Sequence, residues 1–166
     1  MRARTTAAAL LVAGLALAGC GGGGSDSKTA SKAPDGKPLT VATAFDAVAK
    51  QVTTAKFSDT VSAANDKNHL LGRPNEYTSK TDFTDSRIKA DDVSGLDRGD
   101  VERGGAIEVF PAAADAKARA TYIQTVTKSL PVFAEYDYQQ GNVLVRVSHF
   151  LTPDQAGEYK AAAGKL

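Results

Sequence analysis

The chain has little of the chemistry on which most catalytic and metal sites depend. Its 166 residues include one cysteine, two histidines, one methionine and no tryptophan. A single cysteine excludes an internal disulfide and any metal site built from cysteine pairs. With no tryptophan and few other aromatic residues, a folded core must rely on valine, leucine, isoleucine and alanine.

The apolar run near the N-terminus is too short to cross a bilayer. It extends from Ala7 to Ala18, about half of the roughly 20 residues that a membrane-spanning helix needs. Arg2 and Arg4 precede it and Gly19 follows it. A basic head, an apolar middle and a small-residue exit are typical of a secretory signal peptide. We therefore predict that residues 1–19 are removed after export.

The tetrapeptide that ends at Cys20, Leu17-Ala18-Gly19-Cys20, resembles a lipobox. Such a box places a thiol, which forms a thioether with diacylglycerol, directly after small residues that fit the signal peptidase. We predict that Cys20 is lipidated, becomes the first mature residue and anchors the protein at the outer face of the cytoplasmic membrane. The alternative is an ordinary secreted protein in which Cys20 is incidental.

Residues 20–38 are dominated by glycine, serine, lysine, proline and alanine. This composition offers almost nothing to bury and is typical of a flexible tether.

Removal of Arg2 and Arg4 leaves 18 of the 20 basic residues against 19 acidic ones, a net charge of −1. A near-neutral chain predicts no nucleic-acid partner, and it predicts that the membrane is contacted through the lipid rather than through charge.

Residues 39–166 have the length of one domain. Val41, Phe45, Val48 and Val52 follow a helical spacing, and Thr43 with Asp46 could form the capping box of that helix. Alternation or β-rich composition predicts strands near residues 57–63, 77–86, 106–110, 135–139 and 143–150. Helices are predicted at residues 111–130 and after Thr152, which with Pro153 and Gln155 could form a capping box. Gln140-Gly141-Asn142 predicts a hairpin between the last two strands.

The order of these elements predicts an α+β domain. Hairpins dominate and no βαβ series is present, so we expect an antiparallel sheet of four or five strands with the helices packed on one face. The pattern could also close as a ferredoxin-like sandwich or a permutation of it.

Three short segments give the chain a resemblance to a known group. They are Leu70-Leu71-Gly72-Arg73-Pro74, Tyr77-Thr78-Ser79-Lys80 and Asp85-Ser86-Arg87. Through them the chain resembles a group of small actinobacterial lipoproteins. The resemblance implies a lipid anchor and one folded domain, and it transfers no catalytic or binding residue.

Histidine is the usual general base near neutral pH, and His69 and His149 are the two candidates. Neither accompanies a Gly-x-Ser-x-Gly nucleophile motif. His149 continues the apolar face of its strand, and His69 adjoins Leu70 in a loop, so we expect structural roles for both. The acidic residues of loop 91–102 do not follow the EF-hand spacing, and we expect solvated side chains there rather than a metal site.

Two strands carry candidate contact residues. Lys80, Asp82, Asp85 and Arg87 could form a charged face, or they could be the wet side of an antiparallel sheet. Carboxylates and tyrosines alternate in the strand near residue 137 and predict an aromatic-acidic contact surface, although alternation also describes a half-buried strand: Glu135, Tyr136, Asp137 and Tyr138.

The sequence thus predicts no catalytic residue, no metal and no cofactor. We expect a non-enzymatic binding or accessory domain anchored in the membrane through Cys20, with an envelope protein as a candidate partner. One alternative is a small hydrolase-type envelope enzyme that uses His69 or His149. Another is an inhibitor or immunity-type partner of a second exported protein.

Overall fold

The computed structural model describes residues 39–166, and the predictions for residues 1–19, for Cys20 and for the tether to residue 38 lie outside them. Within the described residues, no helix is long and apolar enough to span a membrane. The elements in chain order are α1 (Val41–Ala49), β1 (Ala55–Thr60), β2 (Ser79–Asp85), β3 (Gly104–Val109), α2 (Ala113–Ser129), β4 (Glu135–Gln140), β5 (Val143–Ser148) and α3 (Pro153–Ala163).

The five strands form one sheet in the order β1-β2-β3-β5-β4, and every neighbouring pair is antiparallel. The predicted α+β class and the five-stranded antiparallel sheet are therefore confirmed. The predicted β4–β5 hairpin is present and turns at Gly141, whose φ of 53° lies in the left-handed region that glycine adopts without strain.

The three helices do not share one face of the sheet, which corrects part of the prediction. α1 and α3 pack on the side that carries Val143, Val145 and Val147. α2 packs on the opposite side, where Ile123 contacts the cluster around Leu144. Because side chains alternate along a strand, odd and even positions of β5 serve two different layers.

This placement of the helices also separates the fold from a ferredoxin-like sandwich. The sub-order β2-β3-β5-β4 is that of a permuted ferredoxin-like sheet, with β5 between the two strands that α2 connects. In such a two-layer sandwich the helices cover one face. Here the sheet is the middle layer of three, with α2 on one side and α1 and α3 on the other.

The α1/α3 side is the larger apolar core. The predicted α1 stripe is confirmed, because Val41, Phe45 and Val48 are all buried there. Phe83 of β2 stacks on Tyr159 of α3 with ring centres 5.4 Å apart. The capping box of α1 pairs Thr40 with Thr43 instead of Thr43 with Asp46, so the helix begins three residues before the predicted box.

The predicted capping box of α3 is confirmed. The backbone N–H of Gln155 donates to Thr152 Oγ1 at 3.3 Å, and the Gln155 side chain accepts from the Thr152 N–H at 2.9 Å. Pro153 follows at the first helical position, where its missing N–H costs nothing. This short signal therefore defines the start of the last helix.

A second, smaller core lies under α2. The buried rings of Tyr77 and Phe110 meet edge to face with centres 6.1 Å apart. Leu70 and Leu71 pack on this cluster from the long loop before β2, as their position in the sequence predicts. The loop is thereby held against the sheet and forms one wall of the site described below.

Candidate functional site

A layer of charged side chains lies between the sheet and α2. Even-numbered residues of β2, β3 and β5 point to this side, and the paired residues of β4 join them: Lys80, Asp82, Glu108, Arg146, Glu135 and Asp137. Charged groups that are removed from water must be paired, or their desolvation is very costly. The pairing within this layer therefore bears directly on stability.

Arg146 is the bridge within this layer. Its Nη1 donates to Glu108 Oε1 at 3.0 Å, while Nε and Nη2 donate to the two oxygens of Glu135 at 2.8 and 2.9 Å. Burial alone would lower the pKa of Arg146, but the two carboxylates outweigh it and raise that pKa above its ordinary value. The guanidinium is therefore permanently charged, and each of its three nitrogens donates to a carboxylate within the protein.

Arg119 of α2 is the second arginine at this layer, and its hydrogen-bonding capacity is not used. Its Nε lies 3.5 Å from Glu108 Oε2, an ion pair without hydrogen-bond geometry. Within residues 39–166 its guanidinium makes no hydrogen bond, although the side chain is only 9% exposed. A buried donor without an acceptor is costly, and in native proteins such groups commonly serve a ligand or a water.

A cleft of about 710 Å³ opens above this layer. One wall is α2, the other is formed by residues 67–76 and 99–102, and the polar floor includes Lys80, Arg119 and Arg146. The volume lies in the range of small-molecule sites. The apolar part of the lining is concentrated near the C-terminal half of α2: Leu70, Tyr122, Ile123, Val126 and Phe133.

Lys80 and Asp82 show that this part of β2 is not an exposed, solvated face. Both are buried, with Lys80 Nζ 3.5 Å from Asp82 Oδ1. Burial raises the pKa of Asp82, and the charge of Lys80 opposes that shift. Asp85 and Arg87, in contrast, belong to the other side of the sheet. There the Asp85 carboxylate accepts a hydrogen bond from the Tyr159 hydroxyl at 2.6 Å.

The four residues of the predicted contact surface are divided between the two faces of β4. Glu135 and Asp137 point toward α2, where Glu135 binds Arg146 and lines the cleft. Tyr136 and Tyr138 pack against the α1/α3 core. The four side chains therefore do not form one surface, and Glu135 is the member that the structure brings to the cleft.

Asp137 sits beneath α2, where Gln124 donates to its carboxylate. Burial raises its pKa from the ordinary value of 3.8 to about 7, and the neighbouring charge of Glu135 adds to that shift. The folded protein therefore holds a proton on Asp137 at pH values where the unfolded chain has released it. This carboxyl group favours folding when it is protonated. Its contribution to the free energy of unfolding therefore decreases as pH rises from about 4 to 7.

We expect Asp137→Asn to remove this pH dependence, because the amide keeps the shape and cannot ionise. As pH rises from 4.5 to 7.5, the free energy of unfolding of the variant should increase by about 3 kcal/mol relative to that of wild type. Urea unfolding followed by circular dichroism at several pH values measures the difference. Exposed Asp91→Asn is the control, and equal pH profiles of the two variants would contradict the assignment.

The two histidines lie apart from the charged layer. His69 is exposed, with a φ of 53°, and its backbone N–H donates to the Asp66 carbonyl at 3.0 Å within the predicted loop. His149 follows β5 and packs on Phe150 with ring centres 4.3 Å apart. Among the described residues, no hydrogen bond or ion pair joins either imidazole to a carboxylate.

The acidic loop forms ion pairs with a neighbouring lysine. Lys67 Nζ lies 3.1 Å from Asp97 Oδ2 and 2.7 Å from Asp100 Oδ1. Within residues 39–166, no group of three histidine, cysteine, aspartate or glutamate side chains is placed to hold a metal ion. The loop instead supplies the acidic edge of the cleft.

Comparison with known proteins finds no family model, no curated protein and no solved structure that matches the chain. The cleft is therefore interpreted from its own geometry. Sequence reasoning did not select Glu108, Arg119 or Arg146, although one signal was present. Glu108 and Arg146 each interrupt a short apolar strand, where a single charged residue indicates a buried ion pair.

Proposed function

We propose that this protein is a lipid-anchored extracytoplasmic binding domain that holds a small ligand in the cleft between α2 and the sheet. The observation that carries the proposal is Arg119, whose largely enclosed guanidinium lines the cleft and makes no hydrogen bond within residues 39–166. Structural ion pairs are normally completed within the protein, as Arg146 is here. A donor left incomplete on the floor of a concave site supports binding from outside.

The surroundings of Arg119 support a binding role over a catalytic one. Tyr122 is 61% exposed on the rim, where the Arg119 guanidinium lies 5.8 Å from its ring centre. The carboxylate nearest to Arg119 belongs to Glu108, which is fully buried and also bound by Arg146. A pocket with an aromatic rim and fixed charges orients a ligand, whereas neither histidine that could transfer a proton lines it.

Closing the cleft tests the binding role. Ala118 is an exposed residue of α2 that lines the cleft, so Ala118→Phe should fill it without disturbing the core. Ala161→Phe makes the same change on an exposed part of α3. We expect mass spectrometry of the protein purified from membranes to show a small molecule with wild type and Ala161→Phe and at least about tenfold less with Ala118→Phe. Equal recovery from all three, or none from wild type, would contradict the proposal.

The lipid anchor is tested separately at Cys20. Cys20→Ala removes the thiol that the acyl transferase requires, so the variant should lack lipid and accumulate as uncleaved precursor. Intact-mass analysis of membrane and medium fractions measures both effects. Wild-type protein in the medium without lipid mass on its first residue would show that the anchor assignment is wrong.

A further inference from the structure

We infer that the ligand of this cleft is a single-chain amphiphile with a monovalent carboxylate head, the chemical class of a fatty acid. The inference rests on the proposed function and adds the ligand chemistry. It combines three features of the lining: cationic donors on the floor, an apolar strip beside them and carboxylates around the cleft.

The floor selects an anionic head. Arg119 has donors that the protein does not use, and Lys80 lies across the ladder from Glu108, the residue that Arg119 faces. Two cations therefore flank the same point of the floor, and both line the cleft. A carboxylate placed there would accept charge-assisted hydrogen bonds from the arginine and gain the charge of the lysine.

The α2 wall selects an apolar chain. Tyr122, Val126 and Phe133 line the cleft and are 61%, 37% and 54% exposed. Ile123, beside them in the lining, is buried in the small core. Tyr122 and Val126 follow Arg119 by about one and two turns on the same helix, so one linear molecule could cover the apolar strip and place its head at the cations.

The carboxylates of the lining argue against a doubly charged head. Five carboxylates line the cleft, of which Asp100 pairs with Lys67 and Glu135 with Arg146 among residues 39–166: Glu76, Asp100, Glu102, Asp115 and Glu135. Their repulsion of an entering anion increases with its charge. A monovalent carboxylate is therefore favoured over a phosphate monoester that carries a second charge.

Calorimetric titration of decanoate into the unlipidated mature chain, residues 20–166 with Cys20→Ala, tests the inference. Each buried methylene is worth about a fourfold change in affinity. Hexanoate should therefore bind at least about tenfold more weakly than decanoate. Nonyl phosphate and nonyltrimethylammonium present the same nine-carbon chain on a doubly charged anionic head and a cationic head, and both should bind more weakly than decanoate.

Two variants with the same change of net charge locate the head. Arg119→Gln should weaken decanoate binding by about tenfold or more, whereas Lys117→Gln, on an exposed position of the same helix, should change it less than about twofold. Equal effects of the two variants, tighter binding of either other head group, or no decanoate binding would overturn the carboxylate assignment. If one of these outcomes is found and Ala118→Phe nevertheless copurifies with less small molecule than wild type, the binding function stands and only the ligand class is wrong.

Discussion

Arg146→Met is expected to lower the free energy of unfolding by about 3–5 kcal/mol. The substitution leaves two buried carboxylates, Glu108 and Glu135, without the cation that neutralises both. Breaking a buried ion pair by removing one partner has a cost of this size, because the remaining charge stays desolvated. Urea unfolding of the mature chain, followed by far-ultraviolet circular dichroism since tryptophan is absent, measures it.

The control for this prediction is the same change at an exposed arginine. The Arg98 side chain is 70% exposed, so Arg98→Met should change stability by less than about 0.5 kcal/mol. Combining Arg146→Met with Glu135→Leu should recover part of the loss, since Glu135 then leaves no unpaired charge and Glu108 keeps Arg119 as its partner. Equal stability of the two single arginine variants would show that the charged layer is not a structural element.

Asp66→Ala should destabilise the fold by about 3–5 kcal/mol at neutral pH, because one buried carboxylate holds the whole loop before β2. It accepts backbone N–H groups of Leu70 and Leu71 at 2.8 Å, that of Asn68 at 3.2 Å and the Tyr77 hydroxyl at 2.6 Å. Removing it leaves several donors without an acceptor, each of which costs about 1–3 kcal/mol when buried.

The charge state of Asp66 gives this prediction a second readout. Burial raises the pKa of Asp66, but the hydrogen bonds from Tyr77 and the loop backbone outweigh it and lower that pKa below 3.8. The carboxylate therefore contributes fully above pH 4 and progressively less as pH falls below that value. The stability difference between wild type and Asp66→Ala should shrink in that acidic range. Exposed Asp91→Ala is the control, and a matching loss of stability there would contradict the role of Asp66.

The sequence predicts the elements of this fold better than their arrangement. Spacing and caps are local signals, so the α1 stripe, the β4–β5 turn and the start of α3 at Thr152 follow from a few residues each. The side of the sheet on which α2 lies depends on a connection between β3 and β4, which are not neighbours. No local pattern encodes that choice, and the prediction of one covered face was wrong for α2.

The cleft was missed for a related reason. Polar residues of β2 and β5 look like an exposed face when α2 is assumed to lie elsewhere. Once α2 covers them, Lys80 and Arg146 become the floor of a site. Conversely, Glu135 and Tyr136 alternate because β4 lies between two layers and is partly buried on both sides, not because they form a contact surface. Both errors follow from placing α2 on the same side of the sheet as α1 and α3.

The two sides of the sheet differ in how much apolar surface attaches their helices. α1 and α3 pack on it through the larger cluster. α2 rests on the smaller one, around Ile123 and Leu144, and adds the long ion pair from Arg119 to Glu108. Local opening costs less where fewer apolar contacts are buried, so the α2 layer should open more readily than the opposite one. Access to the cleft is then controlled by the less stable of the two layers.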